Sequence, residues 1–465
     1  MTASLLEKES TGGAIARVGF EYQDAYVLEH IPEWLAQGAF SHLVSEAIGD
    51  LEVCYFNPNG GFLRRMYEAK NHTLTVTQFW DEVARFKAVF EASPREFPRF
   101  VLVCRDYNGN TNPIVSKIER LRGVGSSYES NSPILEAGRK ELREWGQKNG
   151  DKADLAEFAL DHVEFVTYTS ESADQAFIGQ LNEKLPGLDL PASLAVRLRD
   201  DYKGQIARSS SGPVYRKELE AALCDLRDAE RQTWLSTPVQ VQLLSGATPF
   251  HELGLDVGSF NGDARAAKTL ADWLSLLAAA GRIAEFINGS TTRRVIALDG
   301  KQRMSTSCLL GYAFSATRGF LLHVEHNGIS YRTAIHDRSP GTFFNEVLTA
   351  GDAQTSEGIV CIGFPTAVGA DINLMSSGAL AKLPRLTLES SRTIANTEEL
   401  NLAVVESKNA LVRFRSQNQI SKLHVFIKAP SVFAMALGHR LNGVCAIQLN
   451  DWVDGRYQPT ALLDS

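Results

Sequence analysis

The stretches IGDLEV (residues 48–53) and RMYEAKN (residues 65–71) decide the fold of the first part of this chain, and the sequence NPNGG (residues 57–61) lies between them. Apolar residues recur on both sides of this Asn-Gly segment, an arrangement typical of a β-hairpin with a tight turn. The whole stretch is therefore predicted to form two neighbouring antiparallel strands.

Three polar side chains come together if this hairpin forms. Asp50 opens the first strand, whereas Glu68 and Lys70 are two residues apart on the second strand and point to one face. Two carboxylates beside an ammonium group form a hard-oxygen site for Mg2+ (or Mn2+), which polarises a phosphoryl oxygen and lowers the pKa of a bound water. The lysine would orient that water or stabilise the developing negative charge. The alternative is a structural ion pair, because these residue types occur at this spacing in many chains.

A second signal lies upstream, in the sequence GFEYQ (residues 19–23) of a predicted helix. This helix, Asp50 and the motif from Glu68 to Lys70 together resemble the PD-(D/E)xK nuclease domain at the N-terminus of SAVED-domain effectors in CBASS anti-phage defence. The resemblance implies that Asp50 and Glu68 bind the metal ion, that Lys70 acts on the water, and that Gln23 supports them.

Two further positions belong to the same region. Glu46 is a candidate site carboxylate, with a surface role as the alternative. Gly49 stands before Asp50 where the name of the motif implies proline, a departure that a loose motif tolerates.

The composition is that of a globular protein with several domains. A chain of 465 residues is long enough for roughly two to four domains. The six cysteines include no Cys-x-x-Cys pair, so neither a zinc site nor a disulfide framework is predicted. The N-terminus lacks a basic segment followed by an apolar run, and the most apolar stretch, residues 270–281, is too short to span a bilayer. We therefore expect a cytoplasmic protein without a membrane partner.

The charge of the chain bears on how it would hold DNA. Its formal net charge is −8, whereas phosphate contacts require lysine and arginine and supply most of the affinity for DNA. Either a local basic groove overcomes the net charge, or several copies line up on one duplex. The second option predicts a homo-oligomer.

The remainder of the first part alternates between helices and strands. A helix is predicted over residues 77–90, and apolar runs predict strands at 99–104 and 162–168. A helical annex follows over 190–226, so residues 1–232 are predicted to form an α/β domain with this annex. The resemblance to the PD-(D/E)xK nucleases implies that this domain has a restriction-endonuclease-like fold. Five basic residues of the annex are candidates for contacts to the DNA backbone, or else lie on solvated helix faces: Arg197, Arg199, Lys203, Arg208 and Lys217.

Residues 233–465 contain an internal near-repeat, with half-units at about 233–345 and 346–465. Each copy is predicted as a strand and an amphipathic helix followed by strand, helix, strand and an aromatic residue. The predicted elements are 239–244, 264–280, 294–298, a helix to 311, 320–324 and Tyr331 in the first copy, and 358–363, 397–414, 423–427, a helix to 438, 444–449 and Tyr457 in the second. Duplicated α/β units form a crevice at the carboxyl ends of their strands, where helix N-termini favour phosphate. Alternatively, two parallel-sheet units merely share this order of elements.

The second copy, with KAP (428–430), ALG (436–438) and AIQLN (446–450), resembles the SAVED domain, a fused pair of CARF-like Rossmannoid units. The resemblance implies a receptor for a cyclic oligonucleotide, expected to be a cyclic trinucleotide, that a partner nucleotidyltransferase makes. The candidate ligand contacts lie at the strand-to-helix turns: Lys301, Gln302, Lys428 and Ser431.

The sequence thus favours a metal-dependent endonuclease acting on double-stranded DNA, an effector activated when a cyclic oligonucleotide drives its oligomerisation. The alternative is a non-catalytic scaffold that responds to the nucleotide. A dinucleotide-dependent oxidoreductase is disfavoured, because no predicted strand is followed by a Gly-x-Gly-x-x-Gly turn.

Overall fold

The structure is a computed structural model that describes residues 8–170, 173–208, 212–246, 249–334, 341–351, 355–368 and 379–464. The chain divides into two compact units, Met1–Thr233 and Trp234–Ser465. Within the described ranges, no helix combines the length and the apolar character that a membrane crossing requires.

The first unit is an α/β domain built on one mixed sheet of six strands in the order β5-β4-β3-β2-β1-β6. Its strands are β1 (Phe40–Ser45), β2 (Leu51–Phe56), β3 (Phe62–Leu74), β4 (Arg99–Tyr107), β5 (Val163–Thr167) and β6 (Val214–Tyr215). Its helices are α1 (Lys8–Ala36), α2 (Val76–Ala92), α3 (Asn112–Gly125), α4 (Pro133–Lys148), α5 (Ala153–His162), α6 (Ala173–Lys184), α7 (Ala192–Arg208) and α8 (Arg216–Cys224), and α9 (Asp228–Ser236) leads into the second unit.

The predicted hairpin is confirmed as β2 and β3, which pair antiparallel with Leu51 opposite Tyr67. The chain reverses at Gly60 and Gly61, whose φ angles of 125° and 75° are open to glycine and strained for other residues. On its other edge β3 pairs parallel with β4, which pairs parallel with β5. Because β2 also pairs with β1, the hairpin lies inside the sheet and each of its two strands is flanked on both sides.

Helix α2 covers one face of this sheet. Thr75 caps its N-terminus in a capping box with Gln78, which satisfies backbone N–H groups that the helix itself cannot pair. Phe79, Val83 and Phe86 form an apolar stripe along α2 and are buried in the core with residues of β4 and α5. The packing of this stripe turns the polar face of α2 toward the middle of β3, where Glu68 and Lys70 lie.

One arrangement of strands occurs twice in the second unit. The first sheet has the order β12-β11-β10-β7, and the second has the order β13-β15-β14-β16-β17-β18. The strands are β7 (Val239–Gln240), β8 (Gln242–Leu244), β9 (Gly254–Asp256), β10 (Val295–Asp299), β11 (Leu321–His326), β12 (Ile329–Arg332), β13 (Asn345–Thr349), β14 (Glu357–Gly363), β15 (Arg385–Glu389), β16 (Lys422–Lys428), β17 (Ala446–Val453) and β18 (Arg456–Leu463). The helices are α10 (Gly258–Asn261), α11 (Leu270–Ser290), α12 (Met304–Ala313), α13 (Thr397–Asn418) and α14 (Ser431–Gly438).

The pairing directions match between the two halves. In each half the central strand, β10 or β16, is parallel to both of its neighbours, and an antiparallel strand, β12 or β18, closes the edge. The second sheet adds β15 and β13 at its other edge. This correspondence of order and direction supports duplication beyond a shared order of elements.

Two local predictions differ from the structure. The strand predicted over 239–244 is divided, because the N–H of Val241 bonds to Ala297 O of the first sheet whereas the N–H of Gln242 bonds to Leu253 O. The chain thus leaves the sheet and forms the short parallel pair of β8 and β9. The helix predicted from residue 264 begins at Leu270 instead, where Thr269 and Asp272 form a capping box.

Candidate functional site

The loop between β1 and β2 places Asp50 at the start of its strand. The N–H of Glu46 donates to Asp50 O at 3.0 Å, and the N–H of Ile48 donates to Glu52 Oε1 at 3.0 Å. Glu52 is 1% exposed and pairs with Arg64 at 2.7 Å. A buried, ion-paired carboxylate therefore anchors the loop that carries the candidate metal ligand.

The glycine before Asp50 has a steric reason. A Cβ at Gly49 would lie 2.8 Å from Met66 Cε and 2.9 Å from Tyr67 O on the neighbouring strand. Because β3 passes so close to the loop, the position leaves no room for a proline or any other side chain without displacement. The departure from the motif is thus explained by the packing of this hairpin.

Asp50 is held from two directions. The N–H of Ala69 donates to Asp50 Oδ2 at 2.8 Å, and the Gln23 side chain of α1 also hydrogen-bonds to the carboxylate. Burial, and next the nearby charge of Glu68, raise the pKa of Asp50, while these hydrogen bonds and Lys70 oppose the rise. The structure therefore brings together all four residues that the sequence nominated for this site.

Glu68 is 4% exposed and has a cation on each of its oxygens. Lys70 Nζ lies 2.6 Å from Glu68 Oε1, and the Arg85 guanidinium contacts Glu68 Oε2. Burial disfavours the charged form of Lys70, but its hydrogen bonds and attraction to Glu68 and Glu82 prevail and raise its pKa. Lys70 is therefore an ammonium ion at neutral pH.

Helix α2 contributes two residues that the sequence reasoning missed. Glu82 Oε1 lies 3.0 Å from Lys70 Nζ, and Glu82 Oε2 lies 3.0 Å from Arg85 Nε. Glu68, Lys70, Glu82 and Arg85 thus form a closed ring of two carboxylates and two cations, called here the ion ring. Their signal in the sequence was an oppositely charged pair at spacing i, i+3 on the polar face of a predicted helix.

The donor set at Asp50 and Glu68 fits Mg2+, which binds through one or two carboxylates and completes its shell with water and substrate phosphate. Glu68 is buried and Asp50 is half-buried, and after burial itself the charge of Glu68 is the next largest cause of the raised pKa of Asp50. A cation between the two carboxylates would relieve this repulsion. In the part of the chain that the structure describes, no group of three or more His, Cys, Asp and Glu residues is placed to hold a metal ion.

Glu46 and two basic residues of the annex interact with charged groups outside the ion ring. Glu46 is exposed, and its charge adds to the effect of burial in raising the pKa of Asp24, which Lys203 of α7 opposes. Arg199 of the same helix pairs with Asp174 at 2.7 Å. Of the annex candidates, Arg199 is therefore already engaged by a carboxylate, and Lys203 acts on Asp24.

In the second unit the structure brings two of the candidate turns together. The Ser431 hydroxyl at the start of α14 donates to Gly300 O, the residue before Lys301, and lies 3.5 Å from His326 Nδ1. A Cβ at Gly300 would come within 2.8 Å of Glu325 O, so this turn must pass close to the end of β11. The strand-to-helix turns of the two halves therefore meet at this point.

The other ligand candidates differ in their surroundings. Lys301 and Lys428 are exposed, and Lys428 Nζ lies 3.5 Å from Ala367 O. Gln302 Oε1 accepts a hydrogen bond from Asn261 Nδ2 at 2.5 Å. The two lysines can thus reach an anion, whereas Gln302 braces the turn against α10.

A polar group beside these turns was not predicted. Asp451 is 4% exposed and accepts from the N–H of Ser305 at 3.1 Å, so it caps α12. Burial raises the pKa of Asp451, whereas its hydrogen bonds from Ser305, and next the charges of Arg265 and Arg303, lower it. Its sequence, NDWVDG from residue 450, reads as an ordinary hairpin and carried no signal of this contact.

Comparisons with known proteins agree with both halves of this description. Residues 11–210 match the family described as "Cap4, dsDNA endonuclease domain". Residues 279–463 match the family described as "SMODS-associated and fused to various effectors sensor domain", abbreviated SAVED. The ion ring lies in the first region and the paired turns lie in the second.

Full-length relatives extend the agreement to the whole chain. CD-NTase-associated protein 4 of Moraxella osloensis is 54% identical over 464 residues, covering 100% of both chains. The Acinetobacter baumannii Cap4 SAVED/CARF-domain containing receptor, solved with the cyclic trinucleotide 3'3'3'-cAAA, has a TM-score of 0.89 at 49% identity and covers 96% of this chain and 99% of its own. The same receptor with 2'3'3'-cAAA has a TM-score of 0.88 at 49% identity, with the same coverage. The resemblance inferred from the motifs is thereby confirmed, and the chain belongs to the family of CD-NTase-associated protein 4, with a Cap4 double-stranded-DNA endonuclease domain followed by a SAVED sensor domain.

Proposed function

We propose that this chain is the double-stranded-DNA endonuclease effector of a CBASS anti-phage system, that its nuclease is metal-dependent, and that a cyclic trinucleotide bound to the SAVED domain activates it. The observation that carries the catalytic part is the convergence of Asp50, Glu68 and Lys70 at β2 and β3, with Gln23 hydrogen-bonded to Asp50. These residues come from three elements of a domain whose family is an endonuclease.

Asp50 and Glu68 would hold Mg2+ or Mn2+ at this site. When bound, such a cation polarises a phosphodiester oxygen and lowers the pKa of a bound water. Lys70 places an ammonium group beside Glu68, where it orients a water or stabilises negative charge on the phosphate. Gln23 and the N–H of Ala69 fix Asp50, so that its carboxylate needs little reorganisation during the reaction.

The activator is inferred from the relatives and from the paired turns. The A. baumannii receptor was solved with two isomers of a cyclic trinucleotide, and this chain shares its fold across both domains. Lys301 and Lys428 are exposed beside the meeting point of the turns, which suits contacts to phosphate. Ser431 would act mainly by holding the two turns together, and a partner nucleotidyltransferase would supply the ligand.

A second candidate function is a non-catalytic scaffold, and one observation favours it. Both oxygens of Glu68 are ion-paired, as expected of a purely structural network. The two functions differ in whether DNA is cut in the presence of ligand and a divalent cation.

The test is cleavage of plasmid DNA with Mg2+ and a cyclic triadenylate. We expect ligand-dependent cutting by the wild type, no cutting by Lys70→Ala or Glu68→Gln, and suppressed cutting when Ca2+ replaces Mg2+, because Ca2+ accepts looser coordination. Both variants should bind the ligand as the wild type does. The matched control is Lys140→Ala, which removes a lysine of α4 whose side chain is 72% exposed. Cleavage by Lys70→Ala and Glu68→Gln at the wild-type rate would refute the assignment.

A further inference from the structure

The ion ring links the candidate metal ligand Glu68 to helix α2. Lys70 occupies Glu68 Oε1 and Arg85 occupies Glu68 Oε2, while Glu82 contacts both cations at 3.0 Å. The ring balances its own charges, and Glu68 lies at its buried end. Every oxygen that Glu68 could offer to a cation thus already faces a positive group.

A divalent cation at Glu68 would meet two positive neighbours. Each carboxylate oxygen has a second lone pair, so geometry alone does not prevent metal binding. Charge does oppose it, because like charges at ion-pair distance in a half-buried site repel with little screening. Metal binding therefore becomes favourable when one of the two cations leaves Glu68.

Arg85 is better placed to leave than Lys70. Its side chain is 39% exposed, against 27% for Lys70, and it stands on a helix rather than on the strand that carries Glu68. Its Nε already bonds to Glu82 Oε2 on the same helix at i, i+3. When Arg85 leaves Glu68, it therefore keeps a carboxylate partner and its charge does not become unpaired.

We propose that Arg85 competes with the divalent cation for Glu68, and that Glu82 retains Arg85 when the cation binds. Arg85 is thus a positioning residue: it neutralises Glu68 in the metal-free protein and sets how readily the nuclease centre takes up its metal. This inference rests on the proposed function, since it assumes that Glu68 is a metal ligand.

The test measures metal binding without DNA, by titrating the full-length protein with Mn2+ and following free Mn2+ by electron paramagnetic resonance. Arg85→Met should bind Mn2+ on the order of tenfold more tightly than the wild type, because a like charge this close shifts an ionic equilibrium by about one pKa unit or more. Glu82→Gln should bind more weakly than the wild type, since Arg85 then has only Glu68 as its carboxylate in the ring. Opposite shifts from the two variants are not expected of a ring that only stabilises the fold.

The control is Lys87→Met, which removes a positive charge from the same helix at a residue paired with Glu91 outside the ring. If Arg85→Met binds Mn2+ with the same affinity as Lys87→Met, or more weakly than the wild type, Arg85 does not compete with the cation for Glu68. That result would leave the proposed metal site itself in place. If the wild type binds no Mn2+ at all, or if Glu68→Gln binds it as well as the wild type does, the metal centre itself is wrong and the inference falls with it. Thermal unfolding of each variant without metal verifies that it is folded.

Discussion

Single buried residues set how this protein responds to acid, and His439 is the clearest case. Its side chain is 0% exposed, and its Nε2 hydrogen-bonds to Phe320 O at 2.9 Å. Its Nδ1 is buried with no hydrogen-bond partner among the described residues. Burial, assisted by the charge of Arg440, lowers the pKa of His439 to about 4 although the bond to Phe320 opposes this. The folded protein therefore holds a neutral imidazole.

We expect His439 to make the second unit sensitive to acid. Above pH 6.5 the imidazole is neutral in both the folded and the unfolded chain. Between pH 6.5 and about pH 4 it is protonated in the unfolded chain but stays neutral in the folded chain. The free energy of unfolding therefore falls as the pH is lowered through this window. The difference in pKa corresponds to roughly 3 kcal/mol. Urea unfolding from pH 7.5 to 4.5 should show a flatter decline for His439→Gln than for the wild type.

The comparison with wild type matters because burial also lowers the pKa of His42, in the first unit, to about 4. The control is His251→Gln, at a partly exposed position of the second unit, whose profile should parallel that of the wild type. Identical slopes for His439→Gln and the wild type would mean that this imidazole does not contribute to acid sensitivity.

At the candidate nuclease site, the sequence predicts that Asp50, Glu68 and Lys70 lie together, but it does not predict the two residues of α2 that packing brings to them. Asp50, Glu68 and Lys70 were predictable because a hairpin fixes which residues share a face. Glu82 and Arg85 were not, because a pair at i, i+3 looks the same whether it faces solvent or another ion pair. Only the burial of Phe79, Val83 and Phe86 decides that this pair faces Glu68.

Among the elements, the crossing of α12 and α14 holds the two halves of the SAVED domain together. A Cβ at Gly311 would lie 1.9 Å from Met435 O, and a Cβ at Gly438 would lie 2.0 Å from Cys308 O. Each glycine thus faces a backbone carbonyl three residues before the other glycine. This reciprocity is what a pseudo-twofold axis through the crossing would produce, and it agrees with the matching strand orders.

Substitution of either glycine should separate the two helices. Because backbone cannot move aside as a side chain does, we expect Gly311→Ala and Gly438→Ala each to lower the free energy of unfolding by about 2–3 kcal/mol or more. The matched control is Gly281→Ala in α11, where a Cβ would meet no described atom within 4 Å. That change should stabilise the protein by up to about 1 kcal/mol, the difference in helix propensity.

Chemical denaturation of the three variants makes this comparison. Equal stabilities for Gly311→Ala and Gly281→Ala would show that the crossing is not as close as described. The glycines themselves were visible in the sequence as the ends of LLG and ALG, but their mutual contact was not, because each helix alone tolerates alanine there. The division of the predicted strand at Val241 could not be predicted for the same reason. The sequence alone does not determine which carbonyl accepts the hydrogen bond from each backbone N–H.

At the scale of the whole molecule, the charge sets the conditions for DNA binding. A net charge of −8 opposes the approach of one copy to a duplex, whereas copies aligned on the same DNA add their contacts at high effective concentration. Cutting both strands also requires two nuclease sites or two successive cuts, and each chain has one set of Asp50, Glu68 and Lys70. Assembly of several copies would therefore both increase the affinity for the duplex and supply a second nuclease site.

We accordingly predict that the cyclic trinucleotide drives assembly and that assembly activates cleavage. A ligand shifts an equilibrium only through its higher affinity for one state, so it must either bridge SAVED domains or reshape the surface through which they meet. Light scattering at micromolar protein should show growth on addition of the cyclic triadenylate. The rate of cleavage should rise more steeply than in proportion to protein concentration.

Two variants divide this prediction into its steps. Lys70→Ala should assemble as the wild type does and cut nothing, because assembly depends on the sensor domain. Lys428→Glu should do neither at ligand concentrations that saturate the wild type, since a negative charge there repels phosphate and weakens binding by roughly 2–4 kcal/mol. Full cleavage by a species that stays monomeric with both ligand and DNA present would contradict the mechanism, because the net charge of one chain would then be no obstacle to holding the duplex.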